Sequence, residues 1–158
     1  MDVLFVIPSN DKVYQELSVK YSAIEPPTWA LLLTESCRSA GYSVQILDTN
    51  AEHLSYEDSL TRIRDVNPRL ICFVVYGQNV NAGTVSMYGA TNLSNFLKNS
   101  GLDIPISFLG SYIQALPYKV LRDESSVDIV FTNEGVYSLR NLLKIDITDK
   151  SALESVRG

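Results

Sequence analysis

The chain has 158 residues, enough for one domain with its own hydrophobic core and too few for a second large domain. Its composition is 46% hydrophobic and 20% charged, which excludes disordered, collagen-like and low-complexity classes. The formal net charge is −5 and no cluster of lysines or arginines is present, so neither nucleic acid nor an anionic membrane is expected as a partner.

The first predicted element is a strand, Val3–Ile7, which ends at Pro8. This apolar run is too short to cross a membrane and lacks the basic flank of a signal peptide, so we expect a soluble cytoplasmic protein. The polar stretch from Asp11 to Glu25 is long for a strand-to-helix connection. Loops of that length in compact domains are usually functional, and we interpret this one as a candidate lid.

A helix is predicted to start at Pro26-Pro27 and to end at Gly41, since proline is tolerated in a first turn and glycine is favoured just past a last one. We expect one face of this helix to be buried, with residues Trp29, Leu32, Leu33, Ser36 and Cys37.

Strands and helices continue to alternate along the chain. The run Leu70–Val75 is apolar without alternation, which is typical of a strand buried on both faces. Further strands are predicted at Val44–Asp48, Ile104–Leu109 and Val127–Phe131, and further helices from a cap at Ser55 to Pro68, around Ser86–Asn99, near Leu116–Arg122, and from Gly135–Val136 through Leu143.

Five strands alternating with helices predict an α/β fold, a doubly wound parallel sheet with helices on both faces. At this length a flavodoxin-like (Rossmann-like) three-layer sandwich with strand order 2-1-3-4-5 is expected. We assign residues 1–143 to this domain. The segment 144–158 loses periodicity and is interpreted as a tail or the start of a linker to a further domain.

Ligands of open α/β sheets bind outside the carboxyl ends of the strands, where the strand order reverses. The residues at these ends are small, amide or hydroxyl residues, which suit hydrogen bonding to a large polar molecule, although each could also serve only to make a tight turn. The predicted binding residues are Ser9, Asn10, Tyr76, Gly77, Gln78, Asn79, Gly110, Ser111, Tyr112, Asn133, Glu134 and Gly135.

No catalytic constellation is evident. The sequence contains no GxxxxGK[ST] phosphate loop, no GxGxxG after the first strand and no GxSxG elbow. The single histidine, His53, is interpreted as a solvated loop residue, and Cys37 and Cys72 as two buried thiols in a reducing compartment. The chain therefore predicts a binding module without catalytic residues or metal ligands of its own.

Four stretches together resemble the N-terminal cobalamin-binding domain of cobalamin-dependent radical SAM enzymes. They are Glu25-Pro26-Pro27 at the start of a helix, Ala40–Asp48 at its end, Leu109–Pro117, which is similar to the family segment GGPHAxxLP, and Val127–Gly135, which is similar to VDxVVxGEGE. The resemblance covers roughly residues 3–143.

The resemblance implies that cobalamin is bound, with its corrin ring flat across the carboxyl edge of the sheet and its nucleotide tail threaded inward between strand ends and helices. Gly110 matches the second glycine of the family pair and would let the tail pass close to the backbone, whereas Leu109 replaces the first glycine. Tyr112 stands where many members carry histidine. Asn133 and Val136 replace a glycine and a glutamate of the family segment.

Mutase-type cobalamin domains carry a DxHxxG motif whose histidine ligates cobalt from below, and the segment Asp11–Tyr14 has no histidine. We therefore expect a base-off and His-off cofactor, with cobalt unligated or touched by Tyr76, Gln78 or water. The family's CxxxCxxC triad for an iron-sulfur cluster cannot be formed by the two cysteines. The chain is therefore either a domain of a longer parent enzyme or a stand-alone relative that has lost catalysis, and the loss of periodicity in its tail favours the first. The resemblance implies that such a parent, most often a methyltransferase, has a radical SAM domain in cis beyond Gly158 that holds S-adenosylmethionine and the cluster.

Two alternatives on the same fold stay open. One is a redox module that binds flavin mononucleotide, which would need a phosphate-binding nest after the first strand. The other is an interaction domain that has no ligand.

Overall fold

The computed structural model of the chain describes residues 1–9, 24, 26–76 and 80–157. Within them, five strands form one all-parallel sheet in the order 2-1-3-4-5. This order confirms the predicted flavodoxin-like doubly wound fold. The strands are β1 Val3–Ile7, β2 Val44–Asp48, β3 Leu70–Val74, β4 Ile106–Leu109 and β5 Ile129–Val130.

The described helices alternate with these strands. They are α1 Thr28–Ser39, α2 Tyr56–Val66, α3 Val80–Asn99, α4 Ser111–Ala115, α5 Pro117–Asp123, α6 Val136–Leu142 and α7 Lys150–Leu153. The single helix predicted near Leu116–Arg122 is two short helices. Helix α5 starts with Pro117, whose missing N–H is not needed in a first turn.

Helix α2 has the capped start that its sequence predicts. The Ser55 hydroxyl oxygen accepts a hydrogen bond from the backbone N–H of Asp58 at 3.0 Å, which satisfies one of the free donors of the first turn. At the other end Asn67 adopts the left-handed conformation, with φ of 44°, before Pro68. Local side-chain chemistry therefore sets both ends of this helix.

The sheet separates two apolar layers because successive side chains of a strand point to opposite faces. On one face Val3, Phe5 and Cys72 pack against α1 and α6. On the other face Val6 and Phe73 pack against α2 and α3. All five residues of β3 are buried, which confirms the prediction of a central strand covered on both sides.

The predicted buried face of α1 is partly wrong. The side chains that face the core are Ala30, Leu33, Thr34 and Cys37. Leu32 is 56% exposed, although it is far more apolar than the buried threonine. The way the helix packs on the sheet decides which of its faces is buried. A prediction from hydrophobicity alone therefore placed the buried face a little to one side of the true one.

Part of the C-terminal segment packs on the α1 and α6 side of the sheet. Ile147 is buried there, and Leu153 and Val156 are partly buried against the same cluster. The Arg69 guanidinium donates a hydrogen bond to the carbonyl oxygen of Ile145 at 3.1 Å. That residues 144–158 lead toward another domain stays a prediction.

The order of the strands creates one place where the connections diverge. From β1 the chain passes through α1, on one face, to β2, and from β3 it passes through α3, on the opposite face, to β4. The carboxyl ends of β1 and β3 are therefore the switch point at which doubly wound folds bind ligands. None of the helices in the described part of the chain has the length and apolar content needed to cross a lipid bilayer.

Candidate functional site

Most predicted binding residues follow the strands at one edge of the sheet. Ser9 follows β1, Tyr76 follows β3, Gly110 follows β4, and Asn133 lies in the loop between β5 and α6. Ser111 and Tyr112 open α4, and Glu134 and Gly135 precede α6. The predicted residues Asn10, Gly77, Gln78 and Asn79 lie outside the described residues, as does nearly all of the candidate lid, 11–25.

Tyr76 is held by two partners at the switch point. Its ring stacks on Trp29, with ring centroids 4.7 Å apart and an interplanar angle of 22°. Its hydroxyl oxygen accepts a hydrogen bond from the Gln114 side-chain amide at 2.6 Å. Three elements, the first turn of α1, the end of β3 and helix α4, thus meet at one phenol.

The phenol of Tyr76 is also kept neutral. Burial raises its pKa above the ordinary value, and the nearby carboxylate of Glu134 raises the pKa further. Because the ordinary value is already 10.0, the group is protonated at physiological pH and can donate or accept a hydrogen bond. This neutral aromatic surface is the most defined feature of the described edge.

Sequence reasoning missed Trp29 and Gln114 as site residues. The sequence predicts Trp29 on the buried face of α1, but the residue is 38% exposed and its ring stacks on Tyr76, just after β3. A signal existed for both residues. Trp29 is in the first turn of the helix that starts at the carboxyl edge, and Gln114 lies in the short helix that follows Gly110.

Glycines allow the loops at this edge to pack tightly against their neighbours. A Cβ at Gly110 would overlap the carbonyl oxygen of Val75 and stand 2.7 Å from its carbonyl carbon. A Cβ at Gly89 in α3 would overlap the carbonyl oxygen of Ser9, and one at Gly83 would stand 2.8 Å from the Ser111 hydroxyl oxygen. The backbone that approaches position 110 closely enough to require glycine is therefore that of Val75, the residue after β3.

Leu109, the last residue of β4, fills the space between the sheet and the start of α6. Its side chain is fully buried. A Cβ at Gly135 would overlap the Leu109 Cδ1 atom and stand 3.7 Å from Leu33 Cδ2. Gly135 also has φ of 79°, a left-handed conformation that favours glycine.

Asn133 is occupied with local hydrogen bonds. Its side-chain oxygen accepts one from the backbone N–H of Gly135 and one from the hydroxyl of Ser138, both at 2.8 Å. These two bonds fix the loop after β5 to the first turn of α6. The asparagine that stands at the position of a family glycine therefore bonds within its own loop and to the helix that follows.

Metal-ligating side chains do not gather anywhere in the described ranges, where no group of three or more histidines, cysteines, aspartates or glutamates is close enough to hold an ion. His53, the one histidine of the sequence, lies in the turn after β2, an edge strand. A separate groove of 470 Å³ runs along β5, between α6 and residues 153–157. It includes Asn133 but none of the other predicted site residues.

A family profile and a solved structure both match this chain. The sequence profile of the family described as "B12 binding domain" matches residues 17–143, most of the chain. No curated protein matches the sequence at a significant level.

Among solved structures, the radical S-adenosylmethionine methyltransferase TsrM from Kitasatospora setae, determined with tryptophan substrate and a SAM analog bound, superposes with a TM-score of 0.66. The sequence identity is 16%, and the match covers 90% of this chain and 25% of the TsrM chain. At this identity the likeness shows the shared fold, and the present chain spans about a quarter of the length of that protein.

Proposed function

The chain belongs to the B12-binding domain family, and from that premise we propose that it holds a cobalamin at the carboxyl edge of its sheet as part of a cobalamin-dependent radical SAM enzyme, most often a methyltransferase. The observation that carries the proposal is the Trp29–Tyr76 stack, fixed by Gln114 at the switch point of a fold that the family profile covers. When bound, the cobalamin would supply the methyl-carrying cobalt of the reaction.

The described edge fits the face of a corrin ring. A corrin is a broad, largely apolar disc with amide side chains around its rim, so it needs an uncharged platform with hydrogen-bonding groups at the edges. The neutral Tyr76 and the partly exposed Trp29 supply the platform. Hydroxyl and amide groups come from Ser9 after β1 and from Ser111 and Gln114 in α4.

The lower face of the ring would have no imidazole ligand. The only histidine of the sequence follows the edge strand β2, whereas the central strand β3 is followed by Tyr76, a neutral phenol. A neutral phenol held by an amide is a weak donor to a metal, and we propose that the cofactor is bound base-off and His-off. A missing lower ligand favours the four-coordinate reduced metal, which suits a corrinoid that carries methyl groups.

The radical chemistry would belong to another part of the parent protein. Cys37 and Cys72 are both buried and free. They lie too far apart in the sequence to belong to one cluster-binding CxxxCxxC triad, which also needs a third cysteine. We therefore propose that S-adenosylmethionine and an iron-sulfur cluster are held by a radical SAM domain in cis beyond residue 158. TsrM, which is a radical SAM methyltransferase on a much longer chain, supports this assignment. Two free thiols are consistent with a cytoplasmic protein.

The test is direct binding. The purified chain is mixed with hydroxocobalamin, desalted, and examined by absorption spectroscopy, with flavin mononucleotide as the rival ligand. We expect one corrinoid to be retained per chain in a base-off form, and no flavin. A spectrum with a nitrogen-ligated cobalt would contradict the His-off arrangement, and failure to retain any corrinoid would contradict the function.

A variant pair locates the site. Trp29→Ala removes half of the aromatic platform and is expected to weaken hydroxocobalamin binding about tenfold, since an aromatic contact is worth roughly 1 kcal/mol or more. Tyr118→Ala is the matched control, because Tyr118 is an exposed aromatic of α5, 87% accessible and outside the stack. Equal loss in both variants would contradict the assignment of the platform.

A further inference from the structure

The space beside the end of β4 is closed by the protein itself. Leu109 is fully buried, and its Cδ1 atom lies so close to Gly135 that even a methyl group at that glycine would overlap it. Leu33 of α1 closes the same space from a third direction, 3.7 Å from the position of that methyl group. Among the described residues, the side chain of Leu109 therefore already fills the space beside Gly135.

The backbone on the other side of this strand end is closed as well. The carbonyl oxygen of Val75 occupies the position that a Cβ of Gly110 would take, and the backbone N–H of Val75 donates a hydrogen bond to the carbonyl oxygen of Leu109 at 2.7 Å. The end of β3 is thus tied to the end of β4 at the glycine that the resemblance associates with the nucleotide tail.

Hydrogen bonds hold the start of α6 in place over this space. Asn133 binds both Gly135 and Ser138, which keeps the first turn of α6 seated over Leu109. Opening the space would break these bonds and expose a buried leucine. A benzimidazole with its ribose is many times larger than the methyl group that already fails to fit.

The proposed function places a corrin ring at the edge of the sheet, whereas the space beside Leu109 is packed too closely for a nucleotide tail. We propose that this domain recognises its corrinoid by the ring alone and leaves the nucleotide loop outside the sheet, so that its ligand class includes corrinoids without a lower nucleotide. This inference rests on the proposed function, because it concerns the same site.

The experiment compares hydroxocobalamin with cobinamide, the corrinoid that lacks the nucleotide. Trp29 is the only tryptophan of the chain and lies at the site, so quenching of its emission by the absorbing corrinoid reports both titrations. We expect cobinamide to bind at least as tightly as cobalamin, within about threefold or better. Cobalamin that binds about tenfold more tightly than cobinamide would overturn the inference.

The Leu109→Ala variant tests the cause. Removing most of this side chain opens the space below Gly135, and we expect it to shift the preference toward cobalamin by about tenfold. Leu97→Ala is the matched control, since Leu97 is also fully buried but packs on the opposite face of the sheet, and it should leave the preference unchanged.

The outcomes separate the two claims. If neither corrinoid binds the unmodified chain, the proposed function is wrong and the inference is overturned with it. If both bind and cobalamin is strongly preferred, only the inference is overturned. The comparison on the unmodified chain decides this even if Leu109→Ala does not fold.

Discussion

Gly110 packs so closely against a neighbouring backbone that replacing it with alanine should destabilise the fold. In Gly110→Ala the new methyl group would overlap the carbonyl oxygen of Val75 and lie 2.7 Å and 3.1 Å from its carbonyl carbon and Cβ. The obstacle is main chain of a buried central strand, so it cannot move aside as the end of a flexible side chain could. The two strand ends must separate instead.

The magnitude follows from three contributions. Overpacking of this kind costs about 1–3 kcal/mol. Separation of the strand ends also lengthens the 2.7 Å hydrogen bond from Val75 N–H to the carbonyl oxygen of Leu109, which costs about 1 kcal/mol more. Alanine also reduces the conformational entropy of the unfolded chain, which stabilises the folded state by roughly 0.4–1 kcal/mol. The free energy of unfolding is expected to fall by about 2 kcal/mol.

Urea unfolding followed by circular dichroism measures this change, and the emission of Trp29 gives a second probe because its partner Tyr76 is the residue after Val75. Gly101→Ala is the control. Gly101 has φ of 77°, and its Cβ position has open space around it. Alanine at this position should therefore destabilise the fold only through backbone strain, by about 1 kcal/mol. The lower entropy of the unfolded chain offsets part of this loss. A Gly110→Ala protein as stable as the unmodified chain would refute the reasoning.

Three other predictions follow from buried or hydrogen-bonded groups. Thr34→Val is expected to raise the free energy of unfolding by about 1 kcal/mol, because the buried Thr34 hydroxyl has no hydrogen-bond partner among the described residues. Thr49→Val should lower the free energy of unfolding, because the Thr49 hydroxyl donates a hydrogen bond to the carbonyl oxygen of Ile7 in β1 at 2.7 Å. Neither Cys37 nor Cys72 is expected to react with a thiol reagent at pH 8 until urea unfolds the chain, since burial raises their pKa values to about 11 and about 12; rapid labelling of the folded protein would count against this. Asp2→Asn is expected to destabilise the fold by no more than about 1 kcal/mol at pH 7, because hydrogen bonds from Ser43 hold the pKa of the Asp2 carboxyl below its ordinary value of 3.8. This stabilisation is present above pH 3.8 and is lost as the pH falls through the lower pKa of the folded state. The difference in stability between the variant and the unmodified chain should therefore be smaller in unfolding curves at pH 3 than at pH 7.

The candidate site shows which of its features can be predicted from the sequence and which cannot. The rule that ligands bind at the carboxyl ends of parallel strands selected Tyr76 and Gly110, because strand ends can be read from apolar runs. It did not select Trp29, whose ring reaches Tyr76 from another element. Contacts between elements depend on how two helices and a strand are placed relative to each other, and no local pattern encodes that placement.

The apolar runs, their alternation with amphipathic segments and the turn residues between them were enough to predict the parallel sheet and its order, which the structure confirms. These features follow from periodicity and from the handedness of strand crossovers, which act on neighbouring residues. The substitution of a family glycine by Leu109 was visible in the sequence, but its consequence was not. Only the packed structure decided that this side chain fills the space beneath Gly135, since that depends on the close-packed meeting of β4, α1 and α6, which are distant along the chain.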